Sequence, residues 1–103
     1  MNDNTSKNIT VTLPQVTDNL SNGTEIEFFV NNTNDIGNIQ TNFAFYIQSD
    51  KKILITGDRV VNVSGGKATI RANASLALIG LKLIIPGGNI NDAYWIASGN
   101  CGI

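Results

Sequence analysis

The stretch SLALIGLKLIIPGG, residues 75–88, is the most apolar part of this 103-residue chain. Every odd position from 77 to 85 is apolar, whereas the even positions include Gly80 and Lys82 as well as leucines. This alternation is typical of a β-strand, because successive strand side chains point to opposite faces. The pattern predicts a strand over 75–85, and the Pro-Gly-Gly that follows is expected to end it.

Two other structures have to be weighed for the same residues. A short buried helix over 74–83 is the alternative, because periodicity alone does not separate helix from strand in short apolar runs. A membrane span is excluded, since the run covers about a dozen residues and contains a lysine, whereas a spanning helix needs roughly 20 apolar residues. We therefore expect a strand within a globular fold.

The rest of the chain consists of short alternating segments joined by turns rich in Gly, Asn, Asp and Ser. These turn residues adopt positive φ or hydrogen-bond their own backbone. Eight short strands at near-regular spacing predict an all-β fold, a small antiparallel β-sandwich or jelly-roll-like domain. Besides 75–85, the predicted strands cover residues 9–13, 25–31, 42–48, 52–56, 59–63, 67–71 and 94–98.

The length of the chain predicts one domain. We expect a flexible N-terminal segment over 1–8 and a single β domain over 9–103. A domain of this size hides only roughly 60–70% of the surface that its unfolded chain exposes. Its core is therefore thin, and contacts with partner subunits would add to its stability.

Composition excludes several classes of protein. Seven basic and eight acidic side chains leave no basic stripe of the kind that nucleic-acid binders show. The chain has no histidine, the commonest general base and metal ligand. Its first residues, MNDNTSKN, show no signal segment. We expect no cofactor and no metal, and neither nucleic acid nor membrane as a partner.

Two loop motifs come close to ligand sites and fail. SGGKAT (64–69) lacks the first glycine of a phosphate loop, because Val61 stands at that position, so a hairpin turn is expected. NNTNDIGN (31–38) offers several oxygens, but a calcium loop would need oxygen ligands where Ile36 and Phe43 stand. A surface turn is the expected structure there.

The remaining groups with catalytic chemistry also have simpler interpretations. Glu25 and Glu27 share a face of the predicted strand 25–31 with Phe29. Glycosidases hold their two carboxyls across a cleft, so two solvated carboxylates are expected here. Cys101 has no histidine to activate it and no second cysteine to pair with. We expect that the protein is not an enzyme.

The order of several segments resembles bacteriophage fibre and baseplate modules. These run as a strand ending in Leu-Pro, a Gly-led strand ending in Asn, and a late aromatic strand. The landmarks here are Leu13-Pro14, residues 23–31, and Trp95-Ile96 followed by Gly99. The chain is similar in this to small trimeric β-structured virion proteins, such as the head fibre proteins of crAss-like phages of gut Bacteroides.

The resemblance implies a homotrimer on the capsid surface of a virion, in contact with other capsid proteins and with a host surface glycan as a further partner. The chain has no fibrous repeat or coiled-coil shaft and starts at Met1, which favours a head fibre or capsid decoration protein over a tail fibre. A receptor- or carbohydrate-binding module of a tail fibre is the alternative function.

A trimer would explain why the strand over 75–85 is apolar on both faces. One face would complete the core of its own sandwich, and Leu76, Leu78 and Ile84 on the other would meet neighbours around a three-fold axis. Symmetric closure would also cover exposed sheet edges. The alternative is that one sandwich covers both faces.

Three aromatic side chains are candidates for stacking on sugar rings, namely Tyr46, Tyr94 and Trp95. Alternation within the strand over 94–98 assigns Trp95 to the core instead, and this is the interpretation that we prefer.

Overall fold

The computed structural model describes residues 8–17, 19–31 and 44–103, which form two β-sheets packed as a sandwich. Two single-turn 3₁₀ helices, Pro86–Gly88 and Ile90–Asp92, join the seventh strand to the eighth. Within the described residues the strands are β1 (Asn8–Thr12), β2 (Glu25–Asn31), β3 (Ala44–Ser49), β4 (Ile53–Ile55), β5 (Val60–Val61), β6 (Ala68–Ala72), β7 (Leu76–Ile84), β8 (Tyr94–Gly99) and β9 (Cys101–Gly102).

The sheets have the strand orders β1-β3-β6-β9 and β2-β7-β8-β4-β5. The predicted all-β sandwich is confirmed, with one difference in strand direction. Five of the pairings in the described part of the chain are antiparallel, whereas β1 with β3 and β4 with β8 are parallel. Alternation predicts which side chains of a strand point inward, but not which strand it pairs with, so this mixture was not predictable from the sequence.

Strand β7, which lies between β2 and β8, is the predicted strand over 75–85, and the helix alternative is wrong. Its odd side chains point into the sandwich and are buried, from Ala77 to Leu83. Its even side chains point away from the sandwich, and Leu76, Leu78 and Lys82 are exposed. Gly87 and Gly88 follow with φ of 60° and 74°, which turns the chain out of the sheet.

The core lies between the sheets and centres on Trp95 of β8, which is 0 % exposed. The large side chains around it are equally buried, and each contributes roughly 1.5–3 kcal/mol relative to an exposed position. They come from both sheets and are Ile47, Ile53, Ile70, Ile79, Leu81 and Leu83.

Some sequence predictions fall outside the described residues. These are residues 1–7 of the flexible segment predicted over 1–8, residues 32–38 of the turn predicted over 31–38, and residues 42–43 of the strand predicted over 42–48. Asn8, assigned to the flexible segment, belongs to β1. Among the described residues, no helix is long and apolar enough to cross a membrane. The short strand β9 was not predicted, because a segment of two residues is too short to show the alternation of apolar and polar side chains.

Candidate assembly face

The outer face of the five-stranded sheet carries a cluster of exposed apolar side chains on β2 and β7. Phe29 lies directly opposite Leu78 in the antiparallel register, and Leu76 is the next outward residue along β7. Their exposed fractions are 68%, 49% and 53% for Phe29, Leu78 and Leu76. We call Phe29, Leu76 and Leu78 the ridge.

A second apolar group lies on the same face at the other side of the sheet. Leu54 of β4 is paired with Ile96 of β8 and with Val60 of β5, so the three side chains stand in one row across the strands. Leu54 and Ile96 are half-buried and Val60 is 48% exposed. We call this depression of Leu54, Val60 and Ile96 the hollow.

Small and polar residues separate the ridge from the hollow. Glu27 is paired with Gly80, and Gly80 with Ser98, so a shallow groove runs across the middle of the sheet. A Cβ on Gly80 would meet the Ser98 Oγ at 3.4 Å, so even an alanine would narrow this groove. The face therefore carries two distinct apolar patches and not one continuous patch.

Charges are distributed unevenly over this face. On the ridge side, β2 carries Glu25 and Glu27, and Lys82 Nζ lies 4.0 Å from Glu25 Oε2. On the hollow side, Arg59 pairs with Asp58 at 3.2 Å. All four paired side chains are largely exposed, so each of these pairs contributes less than about 1 kcal/mol to stability.

The three residues proposed for an oligomer interface do not lie together. Leu76 and Leu78 are both in the ridge, but Ile84 is half-buried at the far end of β7, opposite Tyr94 of β8. Sequence reasoning left out Phe29, although alternation in β2 placed it on the same face as Glu25 and Glu27. It also left out the hollow, whose three members come from three strands.

The three aromatic candidates for sugar stacking are also dispersed. Tyr46 lies on β3 in the other sheet, with the Arg71 guanidinium 5.7 Å from its ring centroid. Tyr94 lies on β8, with Lys52 Nζ at 5.4 Å. Trp95 points into the core and is fully buried, so it cannot contact a ligand. The preferred assignment of Trp95 to the core agrees with this position.

A polar groove surrounds Tyr94 at the end of the sheet remote from the ridge. Asp50, Lys52, Asn62 and Asp92 line it together with the tyrosine ring. The Asp50 Oδ1 atom is buried and has no hydrogen-bond partner among the described residues. A hydroxyl group or a water molecule would satisfy this acceptor only by reaching its buried position.

Groups with catalytic or metal-binding chemistry are scattered. Glu25 and Glu27 are exposed on one face of β2. Burial raises the pKa of the Cys101 thiol, and the nearby charge of Asp58 adds to this effect, so the thiolate is disfavoured. In the part of the chain that the structure describes, no three His, Cys, Asp or Glu residues gather as metal ligands would.

Comparison with known proteins finds no family model, no curated protein and no solved structure that matches this chain.

Proposed function

We propose that this protein is a structural subunit of a bacteriophage virion, assembled as a homotrimeric head fibre or capsid decoration protein on the capsid surface. Its chemistry is that of association: it holds apolar surface against other copies of itself and against capsid proteins. The phage assignment rests on the order of segments described above, and the assembly rests on the outer face of the five-stranded sheet.

The ridge is the observation that carries this proposal. Burying a Phe or Leu side chain contributes roughly 1.5–3 kcal/mol, and a small domain gains little by leaving three of them in water. Exposed apolar side chains grouped on one sheet face mark an association site, whereas single exposed ones are ordinary. An assembly of three copies would bury nine such side chains.

Replacement of Leu78 by Asp tests whether the ridge is used. In a trimer the variant would place an unpaired carboxylate in a desolvated seam once per subunit, at a cost of several kcal/mol. We expect Leu78→Asp to be monomeric by light scattering at concentrations where the wild type is trimeric. Lys82→Ala, on the same strand face, is the control and should remain trimeric because its ammonium reaches solvent.

Immunolabelling tests the virion part of the proposal. Antibodies against the recombinant protein should label the heads of the phage particles that encode it. A protein that is absent from purified particles would contradict a structural role in the virion.

A carbohydrate- or receptor-binding module of a tail fibre is the second candidate function. The polar groove beside Tyr94 favours it, because an aromatic ring with carboxylates and amides is suited to a polyhydroxylated ligand. A glycan array separates the two functions. Binding that is lost in both Tyr94→Ala and Asp50→Ala would support the module, and binding by neither variant nor wild type would favour the structural role.

A further inference from the structure

Given the proposed trimer, on which this inference rests, we infer that the ridge of each subunit docks into the hollow of the next. The interface is thus heterologous: Phe29, Leu76 and Leu78 of one copy pack against Leu54, Val60 and Ile96 of its neighbour. The occupant of each patch is a second copy of this chain.

The positions of the two patches carry this inference. A closed three-fold ring needs two different patches that fit each other, one for each neighbour. Here the ridge projects from β2 and β7 at one side of the sheet. The hollow lies on β8, β4 and β5 at the other side of the same face. In a ring of three copies around a common axis, each copy would contact one neighbour through its ridge and the other neighbour through its hollow.

The offset between the patches sets how the strands must run in the ring. Phe29 stands four residues along β2 from Glu25, whose row across the sheet contains Lys82, Ile96 and Leu54. Four residues correspond to roughly 14 Å along a strand, and the three strand spacings from β2 to β4 also span roughly 14 Å. Ridge and hollow meet at one height only if β2, which carries Phe29, is inclined to the three-fold axis and does not run parallel to it.

Charge supports the same pairing. Glu27 is the outward residue next to Phe29 on β2, and Arg59 directly precedes Val60 of the hollow. Docking would bring the Glu27 carboxylate of one copy towards the Arg59 guanidinium of the next. A complementary pair at the rim of an interface favours the correct partner surface more than it adds affinity.

Mixing two variants tests the heterologous arrangement. Leu78→Asp disables the ridge but keeps the hollow, and Val60→Asp disables the hollow but keeps the ridge. Each variant alone should be monomeric. A 1:1 mixture should give a heterodimer, because one intact ridge meets one intact hollow and no third subunit can add.

The matched control is Ile103→Asp, which introduces the same charge at an apolar residue that is 60% exposed and belongs to neither patch. It should remain trimeric. Circular dichroism identical to the wild type is required of every variant, so that monomers are folded monomers. A Val60→Asp variant that still assembles alone would overturn the ridge-to-hollow interface, because a ridge-to-ridge contact does not use the hollow. A mixture that contains only monomers would overturn it too, because an intact ridge and an intact hollow would then be present without binding each other.

A charge exchange tests the same interface without touching its apolar residues. Glu27→Arg and Arg59→Glu should each raise about tenfold the concentration at which half of the chains are trimeric. The double variant should recover the wild-type midpoint. A double variant no better than either single variant would contradict the Glu27–Arg59 contact.

Failure of this inference differs from failure of the proposed function. If the wild type is trimeric but Leu78→Asp and Val60→Asp are trimeric too, the interface lies elsewhere and the structural role stands. If the wild type is a monomer, both fail together.

Discussion

Gly99, the last residue of β8, is the glycine whose replacement the fold opposes most strongly among those that the structure describes. Its φ is 96°, and a Cβ at this position would collide with the carbonyl oxygen of Leu78. Both the left-handed backbone and the overlap penalise any other residue. This close approach of the Gly99 backbone to the Leu78 backbone holds the end of β8 against β7, next to a residue of the ridge.

We predict that Gly99→Ala lowers the free energy of unfolding by about 3 kcal/mol or more, from a strained φ plus a steric overlap with backbone. Gly23→Ala is the control, because Gly23 has a φ of 90° but a Cβ there would meet no atom within 4 Å. It should cost about 1–2 kcal/mol. Urea denaturation measures both, and equal losses would mean that the overlap with Leu78 does not matter.

Cys101 provides a second prediction at this scale. Burial and, to a lesser extent, the charge of Asp58 raise the pKa of its thiol, so the folded chain keeps a proton that the unfolded chain loses first. Stability linked to Cys101 is therefore complete below the unfolded thiol pKa of about 8.5 and declines as the pH rises above it. Cys101→Ala should lack this part of the decline.

Urea denaturation measures the free energy of unfolding of the wild type and of Cys101→Ala at about pH 8 and about pH 10. The difference between the two proteins separates the contribution of the thiol from that of other groups that titrate in this range. Native Cys101 should also react with iodoacetamide at least about tenfold more slowly than the unfolded chain. Native and unfolded rates that match would show that the thiol is accessible.

At the scale of the elements, the two ends of β7 are held by asparagine side chains. Asn22 Oδ1 accepts a hydrogen bond from the Ile85 N–H at 2.7 Å, where Ile85 is buried. Asn100 Oδ1 accepts one from the Leu78 N–H at 3.1 Å, in an exposed position. The first bond cannot be replaced by water as readily as the second.

We predict that Asn22→Ala costs about 1–3 kcal/mol, because it leaves the Ile85 N–H without an acceptor in a partly buried site. Asn100→Ala should cost less than about 1 kcal/mol, since water can take the place of the amide oxygen. Thermal or urea unfolding compares the two. A larger loss for Asn100→Ala would contradict this ranking.

Elements were also the level at which sequence reasoning was most successful. The alternation of residues 75–85 is enough to separate the buried Ile79 from the exposed Leu78, because side-chain direction is a local property of a strand. The pairing of Phe29 with Leu78 depends on the register of strands about 50 residues apart, which no local pattern encodes. The hollow was even harder to predict from the sequence, because its residues come together only when β4 lies beside β8 and parallel to it.

At the scale of the whole molecule, the sandwich presents two different ends. The exposed apolar ridge lies at one end of the five-stranded sheet, and the polar groove around Tyr94 lies at the other. The proposed trimer would account for both the small core and the exposed ridge, because neighbouring copies would supply apolar surface that one domain of this size lacks.

Native mass spectrometry of the wild-type protein at micromolar concentration is the decisive test of the proposed trimer. We expect one dominant species at three times the 11.0 kDa mass of the chain, with a Leu78→Asp variant at the mass of one chain. A wild type that is monodisperse as a monomer over the same concentrations would contradict it.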